Sequence, residues 1–564
     1  MKRISIYFSL LCLVAGISAC QQQQDKASAT PSTSRQAIAS AHPTATQAGI
    51  DILNQGGNAF DAAVAVSATL AVVEPYSSGM GGGGFWLLHR ASDGLDVMID
   101  GREVAPLEAT RDMYLDDKGE VVPNLSIDGP LAAGIPGQPA ALVHLASNYG
   151  KLPLTQSLAP AIRAAKQGFA VTEHYQRMAK FRLEALRKSP DAARIFLQND
   201  AVPKLGYLIK QPDLAKTLEQ IAREGHQGFY AGEVAENLVA GSRQNGGIWT
   251  REDLSRYEIK QRQPLVGEFA GYKIVTVPPP SSGGVALLTI LNILNDHSWK
   301  NIGALDQKHL LIESMRRAYR DRAMYLGDTD FIDVPVSRLI SVDYAKQLGA
   351  DIDMQAATAS DMLPGIDTQP KGNHTTHFSI IDQEGNRVAA TLSVNYPFGA
   401  CFVAPGTGIL FNDEMDDFSA KPGVPNAYGL VGAEANAIAP GKRMLSSMSP
   451  TFIENNQQLA IIGTPGGSRI ITMVLLAILG VSEGHSALDV VSQPRFHHQY
   501  LPDEVQYEDK AFSDQEIEQL EHRGHTLHKL DGHYGNMQIV IQNKTSGELT
   551  AASDPRGEGQ ASVE

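Results

Sequence analysis

Between residues 377 and 394 the chain reads strand, tight turn, strand, and the threonine pair Thr375-Thr376 stands at the head of the first strand. The turn, Asp382-Gln383-Glu384-Gly385-Asn386, fits a three-residue hairpin loop with Gly385 where a left-handed residue is needed. This register sets Thr375 opposite Ser393, and directly opposed residues hold their Cβ atoms about 4.5–5.5 Å apart. Asn395 follows Ser393 on the same face. A threonine at the head of a mid-chain strand gains a special chemistry if the chain is cut before it. Breaking His374–Thr375 releases an α-amine, a group that ordinarily titrates at about 7.7–8.0 and can act as base for the hydroxyl beside it.

Such a nucleophile needs donors for a developing oxyanion. Leu459–Ile462 reads as a strand and Ile470–Leu479 as an apolar helix, joined by Gly463-Thr464-Pro465-Gly466-Gly467-Ser468-Arg469. A strand, glycines, then a helix start presents free backbone N–H groups. Three further segments suit a zwitterionic substrate. The acidic run Asn412–Phe418, with Glu414 and Asp417, suits an ammonium. Met444–Pro450 supplies the hydroxyls of Ser446 and Ser447. Arg102, in Asp100-Gly101-Arg102-Glu103, suits a carboxylate through its two-pronged guanidinium. Phe496-His497-His498-Gln499 has no second His or Cys at ligand spacing, so no metal is expected.

The rest of the chain is that of an exported globular protein. A length of 564 residues exceeds one ordinary domain, so two domains or one large composite core are expected. A net charge of −15 argues against nucleic acid and against a polybasic membrane surface. Lys2-Arg3 followed by the apolar run Ile4–Ile17 reads as a signal peptide over 1–19. The run ends Ile17-Ser18-Ala19-Cys20, which resembles the lipobox of bacterial lipoproteins and makes Cys20 a lipidation candidate. An ordinary signal peptide, with Cys20 incidental, is the plainer alternative. Residues 20–35 read as a flexible tether. With Cys12 in the leader, only Cys20 and Cys401 remain, so no disulfide framework is expected.

Helices are predicted over Pro43–Leu53, from the Asn58 cap to Pro75, over Leu154–Lys166 and over Gln307–Tyr325. The glycines of Gly79–Gly84 follow a helix and precede a strand, the reverse of a dinucleotide fingerprint, so they predict close backbone packing near a site. Val277–Gly284 reads as a rigid loop between strand and helix. Residues 342–373 are polar and predict an exposed segment leading to the cut.

These residues match a known pattern. From about Ala37 to Arg556 the chain resembles the γ-glutamyltransferases (glutathione hydrolases) of the N-terminal-nucleophile hydrolase superfamily. The motifs include Gly81–Phe85, Asp100–Pro106, Pro278–Gly284, Arg317–Asp328, Thr375-Thr376-His377, Asn412–Leu430, Leu445–Thr451, Pro465–Ile471, Pro494–Glu504 and Ser553–Arg556. The resemblance implies an α+β fold, a four-layer αββα sandwich with two central antiparallel sheets. It implies a precursor that cuts itself into a large subunit, 36–374, and a small subunit, 375–564. Thr375 would be the nucleophile, with Ser393 where most members carry a second Thr. Gly466 and Gly467 would form the oxyanion hole. Arg102, Ser446 and Ser447 would hold the α-carboxylate of the γ-glutamyl group, and Asn395, Glu414 and Asp417 its α-amino group. Tyr428 would lie on a lid loop, Pro422–Ala437, facing Asn395. The stretch Tyr396–Cys401 departs from the family's usual small polar run.

The implied activity is cleavage of glutathione and other γ-glutamyl amides through a Thr375 ester. The acyl group then passes to water, an amino acid or a dipeptide, with no cofactor. The implied location is the periplasm, with attachment to the outer membrane only through a lipid on Cys20. A cephalosporin-type acylase of the same superfamily and an inactive lipid-anchored binding protein are the alternatives. Arg102, Glu414, Asp417 and the Ser446-Ser447 pair weigh against the first, and retained Thr375, Ser393, Gly466 and Gly467 against the second.

Overall fold

The predicted hairpin is the centre of the molecule. A computed structural model describes residues 36–362, 375–424, 426 and 429–564. In it the strands Thr376–Ile381 and Arg387–Ser393 pair antiparallel, with Thr376 opposite Leu392 and Ile381 opposite Arg387. The turn closes through Gly385 N–H on the Asp382 carbonyl, and Gly385 has φ +86°. The register is the one the loop length predicts. Continued by one residue, it sets Thr375 beside Ser393.

Side chains alternate across this hairpin. Phe378 and Ile380 join a core of helices, whereas Ile381 joins a core between two sheets. The first sheet has seven strands, in the order Gln560–Val563, Ala37–Ser40, Thr376–Ile381, Arg387–Ser393, Gly83–Arg90, Leu95–Gly101 and Lys260–Arg262. The second has six, in the order Leu549–Ser553, Gln538–Asn543, Gln458–Gly463, Thr451–Glu454, Tyr272–Thr276 and Leu265–Phe269. All pairings within these two sheets are antiparallel. Phe85, Leu87, Val275, Phe452, Ile461 and Val540 fill the space between them.

Helices cover the outer faces. Pro43–Asn54 and Ala59–Val73 pack on the first sheet. The second of these starts at a capping box, in which Asn58 Oδ1 accepts from Phe60 and Asp61 and the Asp61 carboxylate accepts from Asn58 N–H. Gly283–Asp296, Ala304–Tyr325 and Ile470–Ser482 pack on the second sheet. Two sheets between two helical layers are the expected αββα sandwich. Both sheets take strands from either side of Thr375, so the expected large and small subunits are interleaved parts of one core.

Two expectations need adjustment. The helix over Leu154–Lys166 is two pieces, Leu154–Ser157 and Ala159–Gln167, because Pro160 lacks the N–H a continuous helix needs there. The polar stretch after residue 342 is not simply exposed. Val342–Gly349 is a helix with Ala345 and Leu348 buried. Ser360 is buried and tied to Asp503, its N–H donating to Oδ2 at 2.7 Å. Polar composition hid this because the few apolar residues that the segment buries, Ala345 and Leu348, are scattered, and Ser360 is held by a charged partner. Among the described residues no helix is long and apolar enough to cross a membrane. The signal peptide 1–19, Cys20, the tether 20–35, His374 and Tyr428 lie outside the described residues.

Candidate active site

Thr375 ends the central hairpin at the rim of the sandwich, 7% exposed. Separate stretches of chain meet it around one small cavity of about 20 Å³. Its lining includes Arg102, Thr375, Ser393, Asn395, Glu414, Asp417, Ser446, Ser447 and Gly467. The structure thus brings together nearly every residue that the sequence singles out, and Arg102 meets partners 312 and 315 positions away. Gly466 faces a second cavity, of about 620 Å³, on another side of Thr375.

Each wall has a local cause. The glycine run lets backbones close up: a Cβ at Gly82 would fall on the Ser393 carbonyl, and one at Gly83 on the Gly101 carbonyl and the Glu103 carboxylate. Asn412 locks the acidic loop to this run. Its amide donates to the carbonyls of Gly81 and Gly134, both at 2.7 Å, and its oxygen accepts from Gly134 and Glu414, both at 3.0 Å. Every bonding position of that side chain is used, so the start of the short 3₁₀ turn Glu414–Asp417 is fixed.

Arg102 is fully buried, and its backbone carbonyl accepts from the Tyr257 hydroxyl at 2.8 Å. Its guanidinium reaches Glu414, donates to Asp417 Oδ2 at 2.5 Å and lies 3.5 Å from Glu103. Three carboxylates therefore share one guanidinium. Burial pushes Glu414 up to about 7, with Arg102 opposing the rise. Burial raises Glu103 and Asp417 as well, and the Glu414 charge adds to the rise at Glu103. Among the described residues both Glu103 oxygens and Glu414 Oε1 lack a hydrogen-bond partner. Such buried acceptors are costly unless a cation or donor meets them.

The opposite wall is the Ser446-Ser447 turn. The rigid loop before Gly283–Asp296 holds it, with the Ser446 carbonyl accepting from Ser282 N–H at 2.8 Å and from its hydroxyl at 2.7 Å. Ser447 Oγ accepts from Arg322 at 3.3 Å. Burial lowers the Arg322 guanidinium to about 10. Sequence reasoning does not single out Arg322. Its only signal is its place inside the Arg317–Asp328 motif, on a helix whose other face is core.

The turn after Gln458–Gly463 has Gly466 at φ +145° and Gly467 at φ +56°, followed by the first helical turn at Gly467–Arg469. Both angles favour glycine, and N–H groups at a helix start have no intrahelical partner. Ser393 Oγ accepts from Asn395 N–H at 2.7 Å, and the Asn395 amide donates to the Asp413 carbonyl at 3.0 Å. The described part of the lid loop reaches the same wall: Leu430 lines the cavity, and Asn426 donates to Asp417 Oδ1 at 3.2 Å.

Two other sequence features resolve elsewhere. Cys401 is buried, and burial pushes its thiol up to about 12, which removes it as a nucleophile at neutral pH. His497 bonds Thr472 and Gln499, and His498 bonds Asp503. Among the described residues no group of three or more His, Cys, Asp or Glu side chains could hold a metal.

Comparison with known proteins gives a consistent picture. Residues 45–564 match the family described as Gamma-glutamyltranspeptidase. The chain is 43% identical over 525 residues to the glutathione hydrolase proenzyme of Escherichia coli (strain K12), covering 92% of this chain and 90% of that protein. It is 42% identical over 533 residues to the glutathione hydrolase proenzyme of Pseudomonas aeruginosa, covering 93% of each. A cephalosporin acylase from Bacillus halodurans superposes with a TM-score of 0.81 at 29% identity, over 94% of this chain and 96% of that one. A Helicobacter pylori γ-glutamyltranspeptidase chain matches with a TM-score of 0.56 at 43% identity, over 57% of this chain and 93% of that one. The sandwich, the cavity at Thr375 and this extent of identity together make the chain a member of the γ-glutamyltranspeptidase family.

Proposed function

We propose that the chain is a self-processing γ-glutamyltransferase and glutathione hydrolase with Thr375 as nucleophile. The observation that carries this reading is one cavity in which Thr375 meets Arg102, Glu414, Asp417, Ser446 and Ser447. In maturation, Thr375 Oγ attacks the His374 carbonyl carbon. The C–N bond breaks and the nitrogen takes the hydroxyl proton. Water then cleaves the ester, leaving a carboxylate on His374 and an α-amine and hydroxyl on Thr375. The products are a large subunit ending at 374 and a small subunit, 375–564.

In turnover, the amine takes the Thr375 hydroxyl proton while Oγ attacks the γ-carbonyl carbon. The amide C–N bond breaks, the leaving amine receives that proton, and a γ-glutamyl ester remains. Water completes hydrolysis, or the amine of an amino acid or dipeptide completes transfer. Acyl transfer of this kind needs no cofactor. Gly466 and Gly467 supply N–H donors to the oxyanion, each worth about 2.7–4 kcal/mol of barrier at such sites. Ser393 orients the Thr375 hydroxyl. Arg102, Ser446 and Ser447 receive the substrate α-carboxylate. Glu414, Asp417 and Asn395 receive its α-ammonium, and Glu414 Oε1, which among the described residues has no hydrogen-bond partner within bonding geometry, supports that assignment. Tyr428 closes the lid from its loop.

The acylase likeness is to a fold neighbour of lower identity than the glutathione hydrolases. A substrate without the α-amino and α-carboxyl groups has nothing to offer in exchange for the Arg102 pairs with Glu414 and Asp417 that close the cavity, and a site built for those groups rejects it strongly. The leader and Cys20 support export and a lipid anchor facing the periplasm.

The test is a denaturing gel of purified protein with N-terminal sequencing of the smaller band. The expected band begins Thr-Thr-His, and Thr375→Ala stays one inactive, uncut chain. A cut Thr375→Ala protein would assign processing to another nucleophile or to an outside protease.

A further inference from the structure

Glu74 is a buried carboxylate that the reaction described above does not use. It caps the C-terminal end of the helix Ala59–Val73, is 4% exposed, and lines the larger cavity together with Thr375 and Gly466. Its Oε2 accepts from the Thr376 hydroxyl at 2.7 Å. Burial raises it to about 7; the Thr376 bond opposes the rise, the Glu558 charge adds to it, and Tyr76 opposes it more weakly. Among the described residues no Lys, Arg or His forms an ion pair with it. The charged and titratable groups across the cavity are His174 and Arg177 on one helix, Arg469 at the glycine turn, and Asp531, His533, Tyr534 and Arg556.

A buried carboxylate without a counter-ion is costly. The missing cation is created one residue from its Thr376 contact, since cutting before Thr375 leaves an α-ammonium on the strand's first residue. Consecutive Cα atoms lie about 3.8 Å apart, so that nitrogen stands within Coulombic reach.

We propose that Glu74 is a positioning residue for the nucleophilic terminus: through Thr376 it holds the head of the strand, and its carboxylate is the counter-charge of the Thr375 α-amine. This rests on the reading that the chain is cut before Thr375. The carboxylate keeps the amine more basic than it would be alone. It also gives the cut a thermodynamic partner, because a charge left unpaired in the precursor becomes paired in the product.

The test is the pH profile of kcat/KM for wild type and Glu74→Gln, both checked for cutting by gel. With the counter-charge gone, the amine pKa falls. The acidic limb of Glu74→Gln is therefore expected about one pH unit lower than that of wild type, and Glu74→Asp is expected to restore most of the wild-type limb. A cut Glu74→Gln enzyme with an unmoved limb overturns the proposal and leaves the cleavage reading intact; an uncut wild type overturns both.

If Glu74→Gln is not cut, the uncut chain supplies the measurement. A carboxylic acid whose folded pKa is raised binds more protons when folded, so stability falls as pH rises from about 4.5 to about 7. Thr375→Ala is expected to show that fall, and Thr375→Ala/Glu74→Gln to lack it. Equal slopes in the two uncut chains overturn the proposal.

Discussion

Arg102 and Asp417 are paired inside the cavity, with Nη2 and Oδ2 2.5 Å apart. Glu414 shares the same guanidinium. With these pairs made, the cavity is about 20 Å³, close to the space of a single water. Under the proposed function, a zwitterionic head group is expected to enter by exchange, its carboxylate taking the guanidinium and its ammonium the carboxylates that Arg102 gives up.

That proposed exchange gives Arg102 a binding role beside its structural one, and two measurements separate the roles. Arg102→Lys is expected to lower kcat/KM for γ-glutamyl donors by about 10–150-fold, the value of a charge-assisted bond, with Arg102→Ala worse. A donor with an esterified α-carboxylate is expected to lose far less. Arg102→Ala also strands three buried carboxylates, so its melting temperature is expected to fall, since breaking a buried pair costs about 3–5 kcal/mol. Equal kinetic losses on both donors would move the carboxylate role to Ser446 and Ser447.

Ser393→Ala is expected to slow both self-cleavage and turnover while keeping the fold. The hairpin register sets its hydroxyl beside Thr375, and the loss is expected to exceed the net ~1 kcal/mol of an ordinary hydrogen bond. Single-turnover kinetics and the rate of band appearance on a gel read both effects. Unchanged rates would refute the positional argument while leaving the family assignment standing.

Acid sensitivity is expected from a site away from the cavity. Asp503 accepts from Ser360 N–H, pairs with Arg316 and lies 3.1 Å from His498. These partners hold its carboxyl well below the usual range despite partial burial. A depressed carboxylate contributes stability that is present above its unfolded pKa of about 3.9 and lost as pH falls through its folded value. Urea melts at pH 7 and pH 3 are expected to show Asp503→Asn destabilised at pH 7, with the gap to wild type narrowed but not closed at pH 3, because the folded carboxyl is still ionised there. A constant gap at both pH values would show that the ion pairs contribute nothing.

Cys20→Ala is expected to move the protein from the membrane pellet to the soluble fraction. One acyl chain binds only marginally, and a multiply acylated cysteine anchors stably. A wild-type protein already in the soluble fraction would leave ordinary export as the reading.

How much of the fold and site is legible in the sequence follows the range of each interaction. The Thr375–Ser393 register is legible because a three-residue loop and a period of two fix every later pair. The glycine turn at Gly466–Gly467 is legible because strand, glycine and helix signals are each local. The three carboxylates around Arg102 are only partly legible. Glu414 and Asp417 stand out as an acidic run, but nothing local says that they pair with an arginine 312 and 315 residues away. Glu74 and Arg322 escape notice for the same reason. Each sits at or near a helix end, where a charged residue normally reads as solvated surface, and only the packed layers show it buried.

Ala37–Ser40 lies between Gln560–Val563 and Thr376–Ile381, so a segment of the proposed large subunit separates the two ends of the proposed small one within a single sheet. The precursor folds as one molecule, and its concentration does not enter the equilibrium. After the cut, the same native contacts join two polypeptides, and any molecule that opens fully must find its partner again by diffusion. Maturation therefore turns a reversible unimolecular balance into a concentration-dependent one. Outside a cell and at high dilution, the lifetime of the mature enzyme is set by how slowly this interlocked sheet comes apart rather than by how readily it reforms.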